Sequence, residues 1–405
     1  MNKNQLVLKI CCSDWKNASR DKRELSVCLD LGMRVLVLAR GEEGKKDNVD
    51  GFDVIRKTSR PMGKLMPAGL NRIIALCKWA KTARKLSPDI ISGHDIDGLL
   101  IGYLSTLFQK KKYRPKLVYD SHEFELGRNK PRSRAQLWFI KQLEGFLIRR
   151  CSFSIMVNDE IANIVQGLYK LENRPIVVRS TPNYWEIDEA VTRKIHDQYC
   201  EQLNVSHDSF FIMYHGGIMR DRGIEMLIKV ISINPNIYGV ILGNGKDEYL
   251  GQLHKLVENL HVADRIIFKS AVPIDELWKY VGAADLGMIM IPAHCENHRL
   301  SLPNKFFENI QSETPIVCPD YPAMKAIVDS YDNGITCDVS RIDSINAAVE
   351  TLRLDNDLLS KKREGAKKAK KELCWEKEEV PLYQQYKKFV GGGVELLSDA
   401  SKQIL

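Results

Sequence analysis

Short apolar segments alternate with amphipathic segments along most of this chain. Such alternation favours parallel sheets that helices cover on both faces, because each apolar strand must then bury both of its sides. Five apolar segments of the first half are interpreted as strands, at residues 6–8, 35–38, 90–91, 117–119 and 153–157. The pattern therefore predicts an α/β fold.

The chain has 405 residues, which is enough for two domains that each have their own hydrophobic core. A polar stretch at residues 184–209 separates the apolar segments of the two halves. We predict a first domain at residues 1–188 and a second at residues 189–375. Residues 376–405 are then a final helix and tail.

A glycine-bearing turn follows the apolar segment 210–214. Gly216 and Gly217 come directly after the predicted strand, and a helix with apolar spacing begins at Ile224. Glycines at a strand-to-helix turn let the backbone approach a ligand without interference from a Cβ atom. Arg222 ends the turn, and its forked guanidinium group is suited to phosphate oxygens. The turn therefore suits a phosphate group.

Residues 301–317 form a second candidate site, with a loop, a short helix and an apolar strand. Pro303 and Asn304 lie at the start of the predicted helix, where unpaired backbone N–H groups and the helix dipole favour a diphosphate. Glu308 lies one turn further along, where a carboxylate is suited to the two hydroxyl groups of a ribose. An ordinary amphipathic helix with a solvated Glu308 is the alternative. Two phosphate-suited turns in one half of the chain favour a nucleotide site.

Several segments, taken in order, resemble motifs of the family-4 retaining glycosyltransferases with the GT-B fold. These segments are residues 118–123, 214–223, 243–245, 266–273, 284–287 and 302–308. The resemblance implies two Rossmann-like, doubly wound parallel-sheet domains that face each other across a cleft. The first would bind the acceptor and the second the nucleotide sugar. It also implies that the helix after residue 375 crosses back to the first domain.

The resemblance and the two turns together assign the donor site. Its candidate residues are Gly216, Gly217, Gly243, Asn244, Phe268, Val272, Leu302, Pro303, Asn304, Lys305 and Glu308. The candidate catalytic residues are His122, Arg222 and Glu308. We expect Arg222 to stabilise the departing diphosphate and Glu308 to hold the ribose. The side chain of Lys305 either assists Arg222 or points to solvent.

Polar residues that follow strands of the first half are the acceptor-side candidates: His94, Asp95 and Glu123. Open α/β sheets bind ligands at the carboxyl ends of their strands, which is where these residues are predicted to lie. By resemblance, His122 would contact the donor sugar or a backbone-held partner of that sugar across the cleft. The alternative is a histidine that is only bonded to Asp120 or Glu123. Arg20 and Asp21 are weaker candidates.

The sequence departs from the family pattern at three places. Many members have two glutamates eight residues apart, but Leu300 occupies the first of these positions. Gly217 replaces an arginine that is common there, so Arg222 is expected to carry much of the diphosphate charge. Residues 11–15 replace the glycine-rich loop that many members have after the first strand.

Charge is distributed unevenly along the chain. Residues 1–183 hold 34 Lys and Arg against 19 Asp and Glu, whereas the remaining residues hold 26 against 33. A basic helix is predicted at residues 67–86, and its apolar residues Leu70, Ile73, Ile74, Cys77 and Trp79 fall mostly on one side. Such a helix is suited to an anionic membrane surface, although its apolar side chains could instead pack on the sheet. Nucleic acid is not expected as a partner, because the basic clusters lack interleaved aromatic residues and DNA-binding motifs.

The ten cysteines lack the paired spacing of zinc or redox sites, which indicates reduced core residues of a cytoplasmic protein. No metal site and no cofactor other than the donor are predicted, and uridine or guanosine diphosphate is the expected carrier of the sugar. The enzyme is expected to reside in the cytoplasm or peripherally at the inner face of the membrane.

The predicted function is that of a retaining, metal-independent hexosyltransferase. Its expected acceptor is a lipid-linked or surface-polysaccharide glycan, as in lipopolysaccharide or capsule biosynthesis. Two alternatives stay open from the sequence: a sugar-nucleotide epimerase, which shares the architecture, and a non-catalytic subunit that binds a nucleotide sugar.

Overall fold

The computed structural model describes residues 5–61, 63 and 66–390. The chain forms two compact units. The first unit contains the chain up to Arg179 together with the segment from Glu378, and the second unit contains Ser180–Lys377. The tail predicted after residue 390 lies outside the described residues. None of the described helices is long and apolar enough to cross a membrane.

The first unit is built on one eight-stranded sheet. Its strands are β1 (Leu6–Cys11), β2 (Arg34–Arg40), β3 (Lys46–Val49), β4 (Phe52–Lys57), β5 (Ile90–His94), β6 (Lys116–Asp120), β7 (Phe153–Met156) and β8 (Ile176–Val177). Its helices are α1 (Ser19–Asp30), α2 (Ala68–Leu86), α3 (Asp95–Thr106), α4 (Arg134–Ile148) and α5 (Asp159–Tyr169).

The strand order in this sheet is β3-β4-β2-β1-β5-β6-β7-β8, and all neighbours are parallel except β3 and β4. The chain order reverses direction between β1 and β5, so the ligand crevice of such a sheet is expected at their carboxyl ends. The sequence analysis did not identify β3 or β4. β3 is polar and lies at the edge of the sheet, where burial is low. In β4 charged residues interrupt the apolar ones, so no continuous apolar segment marks the strand.

The second unit has a six-stranded parallel sheet. Its strands are β9 (Phe210–His215), β10 (Ile237–Leu242), β11 (Ile266–Lys269), β12 (Leu286–Met288), β13 (Ile316–Pro319) and β14 (Gly334–Cys337). Its helices are α6 (Glu189–Leu203), α7 (Ile224–Ile233), α8 (Asp247–Asn259), α9 (Leu277–Val281), α10 (Glu296–Arg299), α11 (Asn304–Gln311), α12 (Pro322–Tyr331), α13 (Ile342–Leu354) and α14 (Asn356–Glu372). A last helix, α15 (Trp375–Val390), begins in this unit and ends in the first.

The strand order of the second sheet is β11-β10-β9-β12-β13-β14, with the reversal between β9 and β12. This is the order of a dinucleotide-binding Rossmann fold, whose ligands bind at the carboxyl ends of the strands beside the reversal. Apolar clusters cover the sheet, one of them formed largely by α7, α8 and α13. The predicted α/β class with two doubly wound, mostly parallel sheets is confirmed.

The boundary between the units lies at residues 179–180 rather than at the predicted 188. The reason is that the segment after Ser180 is bonded to the second unit. The backbone N–H of Tyr184 donates to Glu376, and the N–H of Trp185 donates to Oε1 of Gln311 at 3.0 Å. The other boundary lies at residues 377–378, inside α15.

Helix α2 differs from its predicted packing. Its buried side chains are Asn71, Ala75, Trp79, Ala80 and Ala83. Leu70 and Ile73, which were predicted to share one apolar side with Trp79, are instead 47% and 59% exposed. Small alanine side chains let the helix approach its neighbours closely, so the larger aliphatic residues are left on the surface.

Candidate functional site

Two glycine turns pack on each other at the carboxyl ends of β9 and β10. Gly216 has φ +111°, and its N–H donates to the carbonyl oxygen of Leu242 at 2.9 Å. A Cβ atom at Gly243 would lie 1.9 Å from the carbonyl oxygen of Gly216. No side chain fits there, so Gly243 allows the two turns to meet. The turn predicted from the sequence at Gly216 and Gly217 therefore lies at the ligand edge of the sheet.

Lys305, the second residue of α11, lies beside this turn. The side chain is only 9% exposed, and its Nζ atom has no hydrogen-bond partner among the described residues. The ammonium group lies 3.7 Å from the ring centroid of Tyr214, and 3.7 Å from where a Cβ on Gly216 would be. Burial and the nearby Arg222 lower the pKa of Lys305 to about 7, although Glu308 opposes the shift.

A buried ammonium without a counterion is costly unless a ligand supplies the negative charge. Lys305 therefore indicates an anion site between α11 and the Gly216 turn. The sequence left two possibilities for the Lys305 side chain, which either assists Arg222 or points to solvent. The structure excludes the second, because the side chain is buried.

Glu308 lies one helical turn after Lys305 and is bonded to a histidine. Its Oε2 atom lies 3.0 Å from Nε2 of His215, the last residue of β9. The imidazole is 2% exposed and the carboxylate side chain 14%. His215 thus holds the carboxylate at the sheet edge, and the remaining carboxylate oxygen is available to a ligand. The alternative of a fully solvated Glu308 does not hold.

Arg222 is half-buried and forms no ion pair with the described residues. Its Nη2 atom lies 3.7 Å from Sδ of Met219, which is a weak contact. Pro303 precedes α11 and Asn304 is its exposed first residue, so both lie at the positive end of the helix dipole. Arg222, Lys305 and this helix end are three sources of positive potential in the second unit.

The other predicted donor residues have clear structural contacts. Phe268 stacks on the ring of His254 with a centroid distance of 4.2 Å, and Val272 packs against a hydrophobic cluster. Leu302 packs against another cluster beneath α11. The side-chain oxygen of Asn244 accepts a hydrogen bond from the N–H of Ala271 at 3.1 Å and thereby fixes the turn. Contact of these four residues with a donor stays a prediction.

The first unit contains a buried charge network, formed by Lys9, Arg20, Asp21, Glu24 and Asp120. Lys9 lies in the middle of β1 and is 0% exposed. Its Nζ atom is 2.7 Å from Asp21 and 2.9 Å from Asp120, and it also pairs with Glu24. Arg20 bonds the second oxygen of Asp120 at 2.8 Å. Although burial opposes it, the carboxylates hold the pKa of Lys9 well above its ordinary value.

His94 and His122 adjoin this network with their rings 4.0 Å apart. Nδ1 of His94 lies 2.9 Å from Asp21, and Nε2 of His122 lies 3.0 Å from Asp120. Burial disfavours the charged imidazoles, but these carboxylates outweigh it. They raise the pKa of His94 to about 11 and that of His122 above its ordinary value. The ring of His94 is thus protonated at neutral pH and can only donate hydrogen bonds, and the raised pKa of His122 favours the same form.

Asp95 connects the two histidines with an arginine. One of its oxygens accepts the backbone N–H of His122 at 3.0 Å, and the other lies 2.5 Å from Arg128. Arg128 also contacts Glu123 at 3.1 Å, whose side chain is 47% exposed. The structure therefore brings together all the predicted acceptor-side residues with His122. The alternative bond of His122 to Asp120 is also present, yet 22% of the imidazole side chain remains exposed.

Sequence analysis missed the role of Lys9 and Glu24. A lysine in the middle of an apolar parallel strand is a usable signal, because both faces of such a strand are buried and the charge needs a partner. The hydroxyl groups of Ser92 and Tyr386 donate to Glu24 at 2.7 and 2.5 Å. These partners are far apart in the sequence, so the lysine alone would not have identified them.

Two groups in the first unit have the spacing of metal ligands. One consists of Cys11, Asp21 and His94, and the other of Asp21, Asp120 and His122. Asp21 and Asp120 already bind the ammonium group of Lys9, so a metal ion there would lie next to that positive charge. The prediction that the protein has no metal site stays a prediction.

Two family models match the chain. The model described as "Glycosyltransferase Family 4" matches residues 27–182, and the one described as "Glycosyl transferases group 1" matches residues 196–372. A lipopolysaccharide core biosynthesis glycosyltransferase of Rhizobium meliloti (strain 1021), LpsE, is 25% identical over 157 residues. That match covers 39% of this chain and 43% of the relative, which is less than half of either protein.

Solved structures share the fold over nearly the whole chain. Sucrose-phosphate synthase from Thermosynechococcus elongatus has a TM-score of 0.71 at 14% identity. HepE from Anabaena, in complex with UDP, has a TM-score of 0.71 at 15% identity. Each match covers 96% of this chain and 100% of the solved chain. Both units therefore have the architecture of these proteins.

Proposed function

Because this chain belongs to the family-4 glycosyltransferases with the GT-B fold, we propose that it transfers a hexose from a uridine or guanosine diphosphate donor to a glycan hydroxyl group. The acceptor in this proposal is a lipid-linked or surface-polysaccharide glycan, in keeping with the similarity to a lipopolysaccharide core enzyme. The second unit binds the donor and the first unit binds the acceptor. The observation that carries the proposal is the unpartnered ammonium group of Lys305 beside the Gly216 turn.

The chemistry follows from the charge that develops on the leaving group. Cleavage of the sugar–phosphate bond places negative charge on the departing diphosphate, which Lys305, Arg222 and the first turn of α11 stabilise. These groups do so without a metal ion. Glu308, held by His215, accepts hydrogen bonds from the ribose hydroxyl groups. The incoming hydroxyl attacks on the face from which the diphosphate leaves, so the anomeric configuration is retained.

His122 acts as a hydrogen-bond donor in this scheme and not as a base. Asp120 and Asp21 lie 3.0 and 3.5 Å from its Nε2 atom and raise its pKa against the effect of burial, which favours the donating, protonated ring. A fixed donor of this kind suits a sugar hydroxyl or an oxygen that gains negative charge in the transition state. The proton of the acceptor hydroxyl is then taken by the departing diphosphate.

The role of Glu308 predicts a preference for ribose over deoxyribose. Wild-type protein should bind UDP about tenfold more tightly than 2′-deoxy-UDP, because a hydrogen bond to a charged group contributes about 1.5 kcal/mol or more. Glu308→Gln should remove most of this preference, and Glu258→Gln, an exposed glutamate on α8, should leave it intact. Titration calorimetry measures the affinities of the wild type, Glu308→Gln and Glu258→Gln for UDP and for 2′-deoxy-UDP. Equal preferences in the wild type and Glu308→Gln would exclude the ribose contact.

A donor panel tests the function itself. UDP-, GDP- and ADP-sugars are to be compared by binding and by nucleotide release, with and without a lipid extract of bacterial membranes. A transferase releases nucleotide when the acceptor is supplied, whereas an epimerase alters the sugar without one. A binding subunit takes up the donor but turns nothing over. If no nucleotide sugar binds, the proposal fails.

We propose that the protein binds peripherally at the cytoplasmic face of the membrane, because the proposed acceptor is lipid-linked and the first unit is basic. Helix α4 exposes Trp138 and Phe139 by 65% and 60%, with Arg134 and Lys141 one turn away on either side. Exposed aromatic residues flanked by basic residues suit the interface of an anionic bilayer. The exposed Leu70 and Ile73 of α2 form a similar surface with Arg72.

Removal of the two aromatic residues should weaken membrane binding. Trp138→Ser/Phe139→Ser is expected to lower the affinity for phosphatidylglycerol vesicles about tenfold, since each ring removes apolar area from water on insertion. Leu354→Ser is the control, because Leu354 is 70% exposed in the second unit. Sedimentation with vesicles measures the bound fraction. Equal binding to phosphatidylcholine vesicles, or no effect of the double substitution, contradicts the proposed surface.

A further inference from the structure

A cavity of about 310 Å³ lies in the first unit at the carboxyl edge of its sheet. Its wall includes Cys12, which follows β1, Arg40, the last residue of β2, and Arg60, which comes shortly after β4. Since β1, β2 and β4 are parallel neighbours, their carboxyl ends meet at one edge. Asp97 of α3, which also lines the cavity, is two residues along the chain from Asp95. The cavity therefore lies at the same edge as His94 and His122.

The polar part of this cavity is strongly basic. Its described lining includes three arginines, Arg40, Arg60 and Arg72, and one acidic residue, Asp97, and the side chains of Arg40 and Arg60 are exposed. Arg72 pairs with Asp97 at 2.5 Å. Neither Arg40 nor Arg60 forms an ion pair with any residue that the structure describes. Two uncompensated guanidinium groups at a concave site suit a phosphate, which accepts their forked hydrogen bonds.

Another part of the cavity lining is apolar. It is formed by Trp79, Leu76, Ala75 and Ile101. The indole of Trp79 is 3% exposed, and its Nε1 donates to the carbonyl oxygen of Thr58 at 3.1 Å, so its orientation is fixed. A ligand that fits must therefore combine an anionic group with a weakly polar portion no larger than a sugar ring or a short hydrocarbon segment.

We propose that this cavity binds a phosphate group of the acceptor, with Arg40 and Arg60 as its ligands and the Trp79 wall against the attached sugar ring or lipid chain. This inference rests on the proposed function, and it specifies the acceptor as phosphorylated. The phosphate has two sources, a phosphorylated sugar of the glycan or the phosphate that links a glycan to its lipid. Both present the same chemistry to the two arginines.

The test uses the full chain and probes of known structure. Titration calorimetry compares glucose 6-phosphate and octyl phosphate with glucose and octyl glucoside at constant ionic strength. We expect the phosphorylated probes to bind and the neutral ones not to bind. Tighter binding of octyl phosphate identifies a lipid phosphate, and tighter binding of glucose 6-phosphate a phosphorylated sugar. Equal binding of neutral and phosphorylated probes would overturn the inference.

Paired variants separate this cavity from general surface charge. Arg40→Gln/Arg60→Gln should lower the affinity for the better phosphorylated probe about tenfold or more. The control is Arg34→Gln/Arg114→Gln, which removes two exposed arginines of the same unit, one of them at the other end of β2. An equal loss in both double variants, or no loss in the first, contradicts the proposal.

Donor binding is measured on the same wild-type sample with UDP. If UDP binds and the phosphorylated probes do not, the cavity inference fails while the proposed function stands. If the probes bind through Arg40 and Arg60 but no nucleotide binds, the proposed function fails and the anion cavity stands. The two failures are therefore distinguishable.

Discussion

Lys305→Met is expected to weaken UDP binding by about 10- to 100-fold. The ammonium group is buried beside the Gly216 turn without a hydrogen-bond partner, so the diphosphate is the group that can satisfy it. A hydrogen bond to a charged group contributes about 1.5–3 kcal/mol, which corresponds to this range of affinity. Methionine preserves the volume and the contact with Tyr214 but removes the charge. Titration calorimetry at pH 7 gives the two dissociation constants.

The pH dependence gives a second signature of Lys305. In the free protein its pKa is lowered to about 7, and the protonated form is the one that binds a diphosphate. The affinity for UDP should therefore fall as the pH rises from about 7 to 9, by up to tenfold per unit. UDP itself is at least about 90% ionised over this range, because the second pKa of a phosphate is about 6. Lys305→Met should show a flat profile.

The same substitution should stabilise the free protein. The folded state lowers the pKa of Lys305 from its ordinary 10.5, so the unfolded chain binds more protons between pH 7 and 10. The contribution of Lys305 to the free energy of unfolding therefore rises as the pH rises from 7 to 10. This contribution is least favourable below pH 7. At pH 7 the methionine variant should be more stable by about 1–3 kcal/mol. The control is Lys325→Met, since Lys325 is an exposed lysine on α12. This substitution should change neither the affinity for UDP nor the stability of the free protein.

A loss of stability in Lys305→Met, together with unchanged UDP affinity, would contradict the assigned role. That result would mean that Lys305 stabilises the fold and does not contact the donor. The combination of weaker binding and higher stability is specific to a residue that is strained in the free protein and satisfied by its ligand.

The fold was predictable because its signals are local. Apolar strands that are buried on both faces read as continuous hydrophobic segments, and all five strands predicted for the first half are present. The prediction was wrong where local signals conflict. In α2 the packed face consists of small residues around Trp79. The prediction placed the larger Leu70 and Ile73 on the buried side, but both are exposed.

The turns at Gly216 and Gly243 were also predictable, because glycines at strand ends are visible in the sequence. The state of Lys305 was not, because it depends on Tyr214 and Gly216, which are remote in the sequence. Lysines are mostly exposed, so sequence alone favours a solvated side chain. The arginine cavity was missed for the same reason, since Arg40, Arg60 and Arg72 come from separate strand ends and a helix.

Lys9→Met is expected to cause the largest loss of stability in the first unit. The substitution leaves Asp21, Glu24 and Asp120 buried together without the ammonium group that contacts all three. Removal of one partner from a buried ion network costs about 3–5 kcal/mol, because the remaining charges stay uncompensated. The control is Lys22→Met on the neighbouring α1. Lys22 pairs with the exposed Asp50, and such a surface pair contributes at most about 1 kcal/mol.

Hydrogen exchange followed by mass spectrometry measures where this loss occurs. Amides of β1, β5 and β6 should lose protection in Lys9→Met, because the network joins these strands to α1. If that variant does not accumulate, Tyr386→Phe tests the same network, since it removes a single hydrogen bond to Glu24 and should cost about 1.5–3 kcal/mol. Unchanged protection in these strands would show that Lys9 is replaceable. The buried carboxylates would then serve to raise the pKa values of His94 and His122 rather than to stabilise the unit.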